Sequence, residues 1–241
     1  MLRAMSLTKR YEDTGREALS NLDLQCLPGE IFCLLGENGA GKTTTINLFL
    51  GYIAPTSGTA SVDGISVADD PLATRKRIAY VPESVSLYGA LTALENLTFF
   101  AGLTGTGAPT AEVLSEAMVE AGLDRQHHRR RVSDFSKGMR QKLALAMALQ
   151  KRAPAMLLDE PTSGLDPHAA HDLLMRLQAQ RSKGTAILMS THDLFRAKSI
   201  ADRIGIMAGG RLVCLLDRDQ VQASDLESLY LQYVVGQEPA S

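Results

Sequence analysis

The chain has 241 residues, 45% of them hydrophobic, and its 25 Lys and Arg stand against 27 Asp and Glu for a formal net charge of −2. This is ample apolar material for a buried core, and too even a charge balance to draw the molecule toward nucleic acid or anionic lipid. No run approaches the roughly 18 consecutive apolar residues of a membrane span, so any membrane role has to come through a partner.

Residues 1–35 read as short strands separated by turns: Leu2 to Leu7, Ala18 to Leu27, and Ile31 to Leu35 after a Pro28-Gly29 turn. The start, Met1 to Arg10, has no apolar leader. Tyr11 follows the first strand, as an ordinary surface tyrosine or as a flat apolar platform for a planar ring. Cys26, Cys33 and Cys214 lie far apart with no C-x-x-C, which suits a reducing cytoplasm, with Cys33 as a small buried hydrophobe.

The stretch Gly36-Glu-Asn-Gly-Ala-Gly-Lys-Thr43 fits G-x-x-x-x-G-K-[ST], the Walker A phosphate loop, directly after the apolar run Glu30 to Leu35. Gly36, Gly39 and Gly41 let backbone N–H groups approach β and γ phosphates, with Asn38, Ala40 and Thr44 in the same cradle. Lys42 supplies a point charge and Thr43 a hydroxyl for Mg²⁺, and Lys42 to Leu50 reads as a helix whose positive end faces the phosphates.

After Gly51 come a strand and hairpin turn at Thr59 to Gly64, a short basic helix at Asp70 to Arg77, and a strand Ile78 to Val81 stopped by Pro82. From Ser84 the pattern is helical: Leu91 to Leu103, Thr110 to Gly122 and Ser136 to Leu149, interrupted by the loop Gly105 to Pro109. The basic run His127 to Arg131 reads as a solvated turn rather than a metal site, because no second pair of ligands accompanies the histidines. Strands return at Ala155 to Leu158 and Thr185 to Met189, around a helix Pro167 to Lys183. A hairpin at Ile204 to Val213 and an amphipathic helix at Ser224 to Val235 follow. The expected organisation is a single α/β domain: a nucleotide core of residues 1–83 and 151–220, an all-helical insertion at about 84–150, and a short C-terminal helix or tail at 221–241.

The run Ala155-Met-Leu-Leu-Asp-Glu160 is an apolar strand ending in two carboxylates, as a Walker B segment requires. Alternation along the strand lets Asp159 hold Mg²⁺ while Glu160 reaches an attacking water.

With these segments in this order, the chain resembles an ATP-binding-cassette ATPase, the nucleotide-binding subunit of an ABC transporter, over nearly all of its length. Asp134-Phe-Ser-Lys-Gly-Met-Arg-Gln141 stands where the family has L-S-G-G-Q; Ser136 and Gly138 match, while Phe135, Lys137 and Met139 depart. Asp159 to Asp166 resembles the Walker B segment plus D-loop, Ser190-Thr-His192 the switch histidine, and Tyr11 the aromatic that stacks on adenine. The resemblance implies a RecA-like P-loop NTPase core with an antiparallel β subdomain and an inserted helical subdomain. It implies ATP and Mg²⁺ as ligands, Glu160 as general base, His192 holding the γ-phosphate and water, and Lys42 stabilising transferred charge. It further implies a head-to-tail dimer, expected to be a homodimer, in which Ser136 and Gly138 cover ATP on the second subunit and Asp166 also serves the nucleotide.

The family usually has Gln after Tyr-x-Pro, but Tyr80-Val-Pro-Glu83 has Glu, which offers a hard oxygen to Mg²⁺ and is counted among the catalytic and metal residues. This replacement and the Ser-Lys-Gly-Met-Arg-Gln signature resemble subunits of ABC-2-type exporters, as does the lack of a regulatory domain after residue 220. The expected partner is an integral-membrane permease, not nucleic acid, with the chain peripheral on the cytoplasmic face of the inner membrane. The alternative is a soluble ABC ATPase acting on nucleic acid or ribosomes, but neither heptads nor a second Walker A is present. A nucleotide-binding regulator without turnover is disfavoured by the intact Glu160 and His192.

Overall fold

The structure is a computed structural model that describes residues 1–103 and 109–234. The predicted loop at 105–109 and the end of the predicted tail therefore lie largely outside the described residues. The N-terminal strands β1 (Leu2–Arg10) and β2 (Glu17–Cys26) pair antiparallel. With β4 (Ser57–Val62) and β5 (Ile65–Ser66) they form a four-stranded sheet in the order β2-β1-β4-β5.

The second sheet has six strands. β3 (Ile31–Leu35) lies between β8 (Ala186–Thr191) and β9 (Arg203–Ala208), with β7 (Ala155–Asp159) and β6 (Ile78–Val81) beyond β8 and β10 (Arg211–Leu216) beyond β9. The pairs from β6 to β9 are parallel, and β9 and β10 form the predicted antiparallel hairpin. Parallel pairing requires crossovers. Here they include α1 (Lys42–Phe49), α6 (Pro167–Ser182) and α7 (Leu194–Ile200).

Both faces of the five parallel strands are largely buried, so these strands read as near-continuous apolar runs, while β10 at the edge is mostly half-exposed. Alternate residues nevertheless enter different cores. Phe32, Leu34, Leu157 and Leu188 face the antiparallel sheet and α1, while Cys33, Leu35, Leu158 and Met189 face the helices on the other side. Cys33 is fully buried there, as its place in an apolar strand predicts, and burial pushes its thiol far above the usual range.

Between β6 and β7 lie α3 (Ala93–Gly102), α4 (Ala111–Glu120) and α5 (Lys137–Leu149), with short 3-10 turns at Arg125–His127 and Val132–Asp134. Thr92 caps α3 in a reciprocal box with Glu95, and Thr110 caps α4 through Val113 N. Leu97, Leu114, Met118, Leu143 and Leu145 join this region to the core on the helical face of the sheet.

Three readings need correction or addition. The basic run is not wholly solvated: His128 is buried, its Nε2 2.8 Å from Leu123 O and its Nδ1 3.1 Å from Ser115 Oγ. α7 was not anticipated, nor was α8 (Arg218–Ala223), which precedes α9 (Leu226–Val234). β8 runs to Thr191 rather than stopping at Met189, which brings Ser190 into register with Asp159.

Candidate functional site

The glycine loop leaves β3 and enters α1 at the end of the six-stranded sheet. Its shape is fixed by close approaches that side chains would block: a Cβ on Gly36 would lie 2.5 Å from Met207 O, and one on Gly41 2.8 Å from Ala18 O. Gly41 also has φ +106°, a conformation that favours glycine, and it opens α1 with no side-chain cap on the helix N–H groups. Those groups and the helix dipole make this end of α1 a place for an anion.

The loop borders a cleft of about 430 Å³ lined by Tyr11, Asn38, Gly39, Gly41, Lys42, Thr43, Thr44, Glu83 and Glu160, among others. Gly36 and Ala40 stand behind the lining instead of in it. The Gly36 amide donates to Thr191 O at 3.3 Å and the Ala40 amide to Glu37 O at 3.2 Å, so these two residues shape the loop from behind. Sequence reasoning missed Arg16, which also lines the cleft and donates from Nη2 to Gly39 O at 3.2 Å. A basic side chain between Tyr11 and the second strand was the available signal.

Lys42 is buried. Its ammonium donates to Gly36 O at 2.6 Å and Glu37 O at 3.2 Å, and lies 3.2 Å from Glu160 Oε1. The other Glu160 oxygen, Oε2, is 2.9 Å from His192 Nδ1. Glu160 has φ +45°, which strains a non-glycine residue, and its amide donates to Ser190 Oγ at 2.9 Å.

Asp159 Oδ1 accepts from Thr43 Oγ1 at 3.2 Å and from Ser190 Oγ at 2.5 Å. Asp159 also bears on the half-buried Tyr80: burial first, then the Asp159 charge, pushes the Tyr80 phenol up to about 12. Two hard oxygens, from Thr43 in the cleft lining and from the buried Asp159 beside it, thus stand together, and no cluster of three His, Cys, Asp or Glu able to hold a metal occurs among the described residues. That donor set fits Mg²⁺, which is commonly held by one or two protein oxygens plus phosphates and water.

The predicted residues Ser136, Gly138 and Asp166 are not brought to this cleft. Ser136 caps α5, accepting from Met139 N at 3.2 Å, and Asp166 caps α6, accepting from Ala169 N at 2.9 Å. Amide hydrogen bonds, from Ala169 first, hold the Asp166 carboxyl below the usual carboxylate range. Gly138 lies against α6: a Cβ there would be 3.2 Å from Ala169 Cβ. The two caps and Gly138 therefore share one exposed neighbourhood outside the cleft.

A model of the ABC transporter family matches residues 19–163. The human retinal-specific phospholipid-transporting ATPase ABCA4 is 40% identical over 212 residues, covering 87% of this chain and 9% of that protein. The Nod factor export ATP-binding protein I of Rhizobium etli is 35% identical over 207 residues, covering 86% of this chain and 65% of that protein. The chain thus spans about a tenth of the vertebrate relative and just under two thirds of the bacterial one. Among solved structures, an ATP-binding subunit of an ABC transporter superposes with a TM-score of 0.84 at 34% identity, covering 97% of this chain and 99% of that one. A dimeric post-hydrolysis state of the ATP-binding cassette MJ0796, bound to ADP and Pi, gives a TM-score of 0.82 at 26% identity, covering 90% and 99%.

Proposed function

The chain belongs to the ABC transporter family, and from that premise we propose that it binds and hydrolyses ATP, dimerises head to tail around it, and powers a separate integral-membrane permease, in the direction of export. The observation that carries this reading is the set of contacts beside the cleft that joins Lys42 to Glu160, Glu160 to His192 and Thr43 to Asp159.

Lys42 and the loop amides hold the β and γ phosphates, and the start of α1 adds its dipole. Thr43 and Asp159 would hold Mg²⁺, which would neutralise phosphate charge when bound, and Glu83 would offer a further carboxylate from the cleft wall. Glu160 takes the proton of the attacking water, and His192 fixes that carboxylate through the 2.9 Å contact and reaches the γ-phosphate. Tyr11, at the cleft rim, stacks on adenine.

Ser136, Gly138 and Asp166 lie outside their own cleft, which supports their serving the nucleotide of a second copy across a head-to-tail interface. The dimeric state of a solved cassette bound to ADP and Pi supports the expectation of a dimer. Export is supported by the Nod factor relative and by the resemblance of Glu83 and the Ser136-Lys-Gly-Met-Arg-Gln141 signature to subunits of ABC-2-type exporters. No helix among the described residues is long and apolar enough to cross a membrane. Attachment to the cytoplasmic face through a permease is the reading consistent with the family.

The test is phosphate release by the purified chain with Mg-ATP, alone and with its candidate permease in lipid. Mg²⁺-dependent hydrolysis that the permease stimulates is expected. Hydrolysis indifferent to the permease but stimulated by nucleic acid or ribosomes would replace the transport reading with the soluble one.

A further inference from the structure

Ser190 meets both acidic residues at the end of β7. It is fully buried at the end of β8, in register with Asp159 on the adjacent parallel strand. Its Oγ lies 2.5 Å from Asp159 Oδ1 and 2.9 Å from the Glu160 amide nitrogen. The amide can only donate, so Ser190 Oγ accepts there and its own proton points to the Asp159 carboxylate. A distance of 2.5 Å is that of a strong, charge-assisted O–H···O⁻ bond.

Two consequences follow from this single hydroxyl. First, Asp159 Oδ1 is fixed by Ser190 from one side while Thr43 Oγ1 donates to it from the other. With its proton engaged on Asp159, Thr43 has its lone pairs free to face the cleft, as a hydroxyl ligand to Mg²⁺ must. Second, the Glu160 amide is anchored where the backbone has φ +45°, a conformation a glutamate does not hold without support. The same strand end then delivers His192 to Glu160 Oε2.

On these grounds, and resting on the ATPase reading above, we propose that Ser190 is a positioning residue for hydrolysis: its hydroxyl sets the metal-facing Asp159–Thr43 pair and the backbone of the base Glu160 at once. It is fully buried and does not line the cleft, so its loss acts on turnover and metal use and leaves metal-free nucleotide binding alone.

The experiment compares wild type, Ser190→Ala and Ser190→Thr by steady-state hydrolysis across a Mg²⁺ titration, by ATP affinity in EDTA, and by hydrogen exchange at the Glu160 amide. In Ser190→Ala, kcat falls about tenfold to a hundredfold, as removal of an outer-shell partner typically costs. The Mg²⁺ needed for half-maximal rate rises, metal-free ATP affinity is unchanged, and the Glu160 amide loses protection. Ser190→Thr restores rate and protection. Should Ser190→Ala fail to fold, Ser190→Cys keeps the volume, weakens both hydrogen bonds and carries the same expectations. Wild-type kcat, Mg²⁺ dependence and amide protection in the alanine variant would overturn the proposal. So would equal impairment in Ser190→Ala and Ser190→Thr, which would mean that shape rather than the hydroxyl matters. If no form of the chain hydrolyses ATP, the ATPase reading falls, and exchange at Glu160 still decides whether Ser190 anchors that peptide.

Discussion

Lys42 Nζ lies 3.2 Å from Glu160 Oε1, and both side chains are buried. The residue proposed to hold phosphate and the proposed general base are thus each other's counter-charge, so changing either one alters the surroundings of the other. In Glu160→Gln, Lys42 keeps its two loop carbonyls, and the cradle should persist. ATP binding is expected to survive while turnover drops by about 10²–10⁴, the usual worth of a general base. Light scattering with Mg-ATP should then find a stable dimer; wild-type turnover would exclude Glu160 as base.

Lys42→Ala has a second cost besides lost phosphate binding. Glu160 Oε1 is buried, accepts no hydrogen bond, and would lose its nearby cation. Breaking a buried pair by removing one partner destabilises by on the order of 3 kcal/mol. Thermal unfolding should show the loss, and adding Glu160→Gln to Lys42→Ala should recover part of it, while phosphate release stays absent in both.

The exposed caps Ser136 and Asp166 make a mixing experiment decisive. A Ser136→Arg subunit and a Lys42→Ala subunit each retain the half that the other lacks, so their mixture should regain hydrolysis at one of two sites. Activity no greater than the sum of the separate variants, with mixed dimers demonstrated, would rule out a shared site.

Glu83 is exposed at the cleft wall, just past β6 and before the aromatic cluster of Tyr88, Phe99 and Phe100, whose ring centroids lie 5.1–6.1 Å apart. Glu83→Gln should keep or slightly strengthen ATP affinity by removing a charge near triphosphate. Glu83→Ala should lower permease-stimulated hydrolysis and raise the Mg²⁺ requirement. Both quantities unchanged in Glu83→Ala would leave this residue without a mechanistic part.

Asp172 joins α5 to α6, lying 2.6 Å from Lys142 and 2.9 Å from Arg176. Burial pulls its carboxyl up, but the two cations outweigh this and hold it below the usual range. A depressed folded-state value means that the stabilisation is complete above the unfolded pKa of about 3.9 and is lost as pH falls below it. The stability gap between wild type and Asp172→Asn should therefore be flat near neutrality, about 1 kcal/mol or less for this partly exposed group. Urea titrations should show the gap closing below about pH 4.

The loop between β3 and α1, and the strand leading to Asp159 and Glu160, were legible in the sequence because each is a local matter: an apolar run, then glycines or carboxylates at fixed spacing. The same holds for the β9–β10 hairpin, whose Gly209-Gly210 turn announces itself. α8 carries a readable start in the reciprocal box of Asp217 and Gln220, whereas α7, seven residues long, offers little beyond its Asp193 cap. What was not legible depends on distant partners. Nothing local says that β3 lies between β8 and β9, that His128 is sealed by Ser115 and Leu123, or that Ser190 meets Asp159 across a strand pair.

The central position of β3 also bears on the order in which the molecule is made. Ile31 pairs with Ile187 and Cys33 with Ile204, so neither neighbour of the strand that leads into the glycine loop exists until β8 and β9 have been synthesised. Contacts so far apart in sequence close slowly and late. The apolar faces of Ile31 to Leu35 stay open to wrong pairings in the meantime, a hazard for a strand waiting for its partners. The loop that leaves β3 takes its shape only once β8 and β9, far along the chain, have joined it, so ATP binding there would report on the pairing of all three strands.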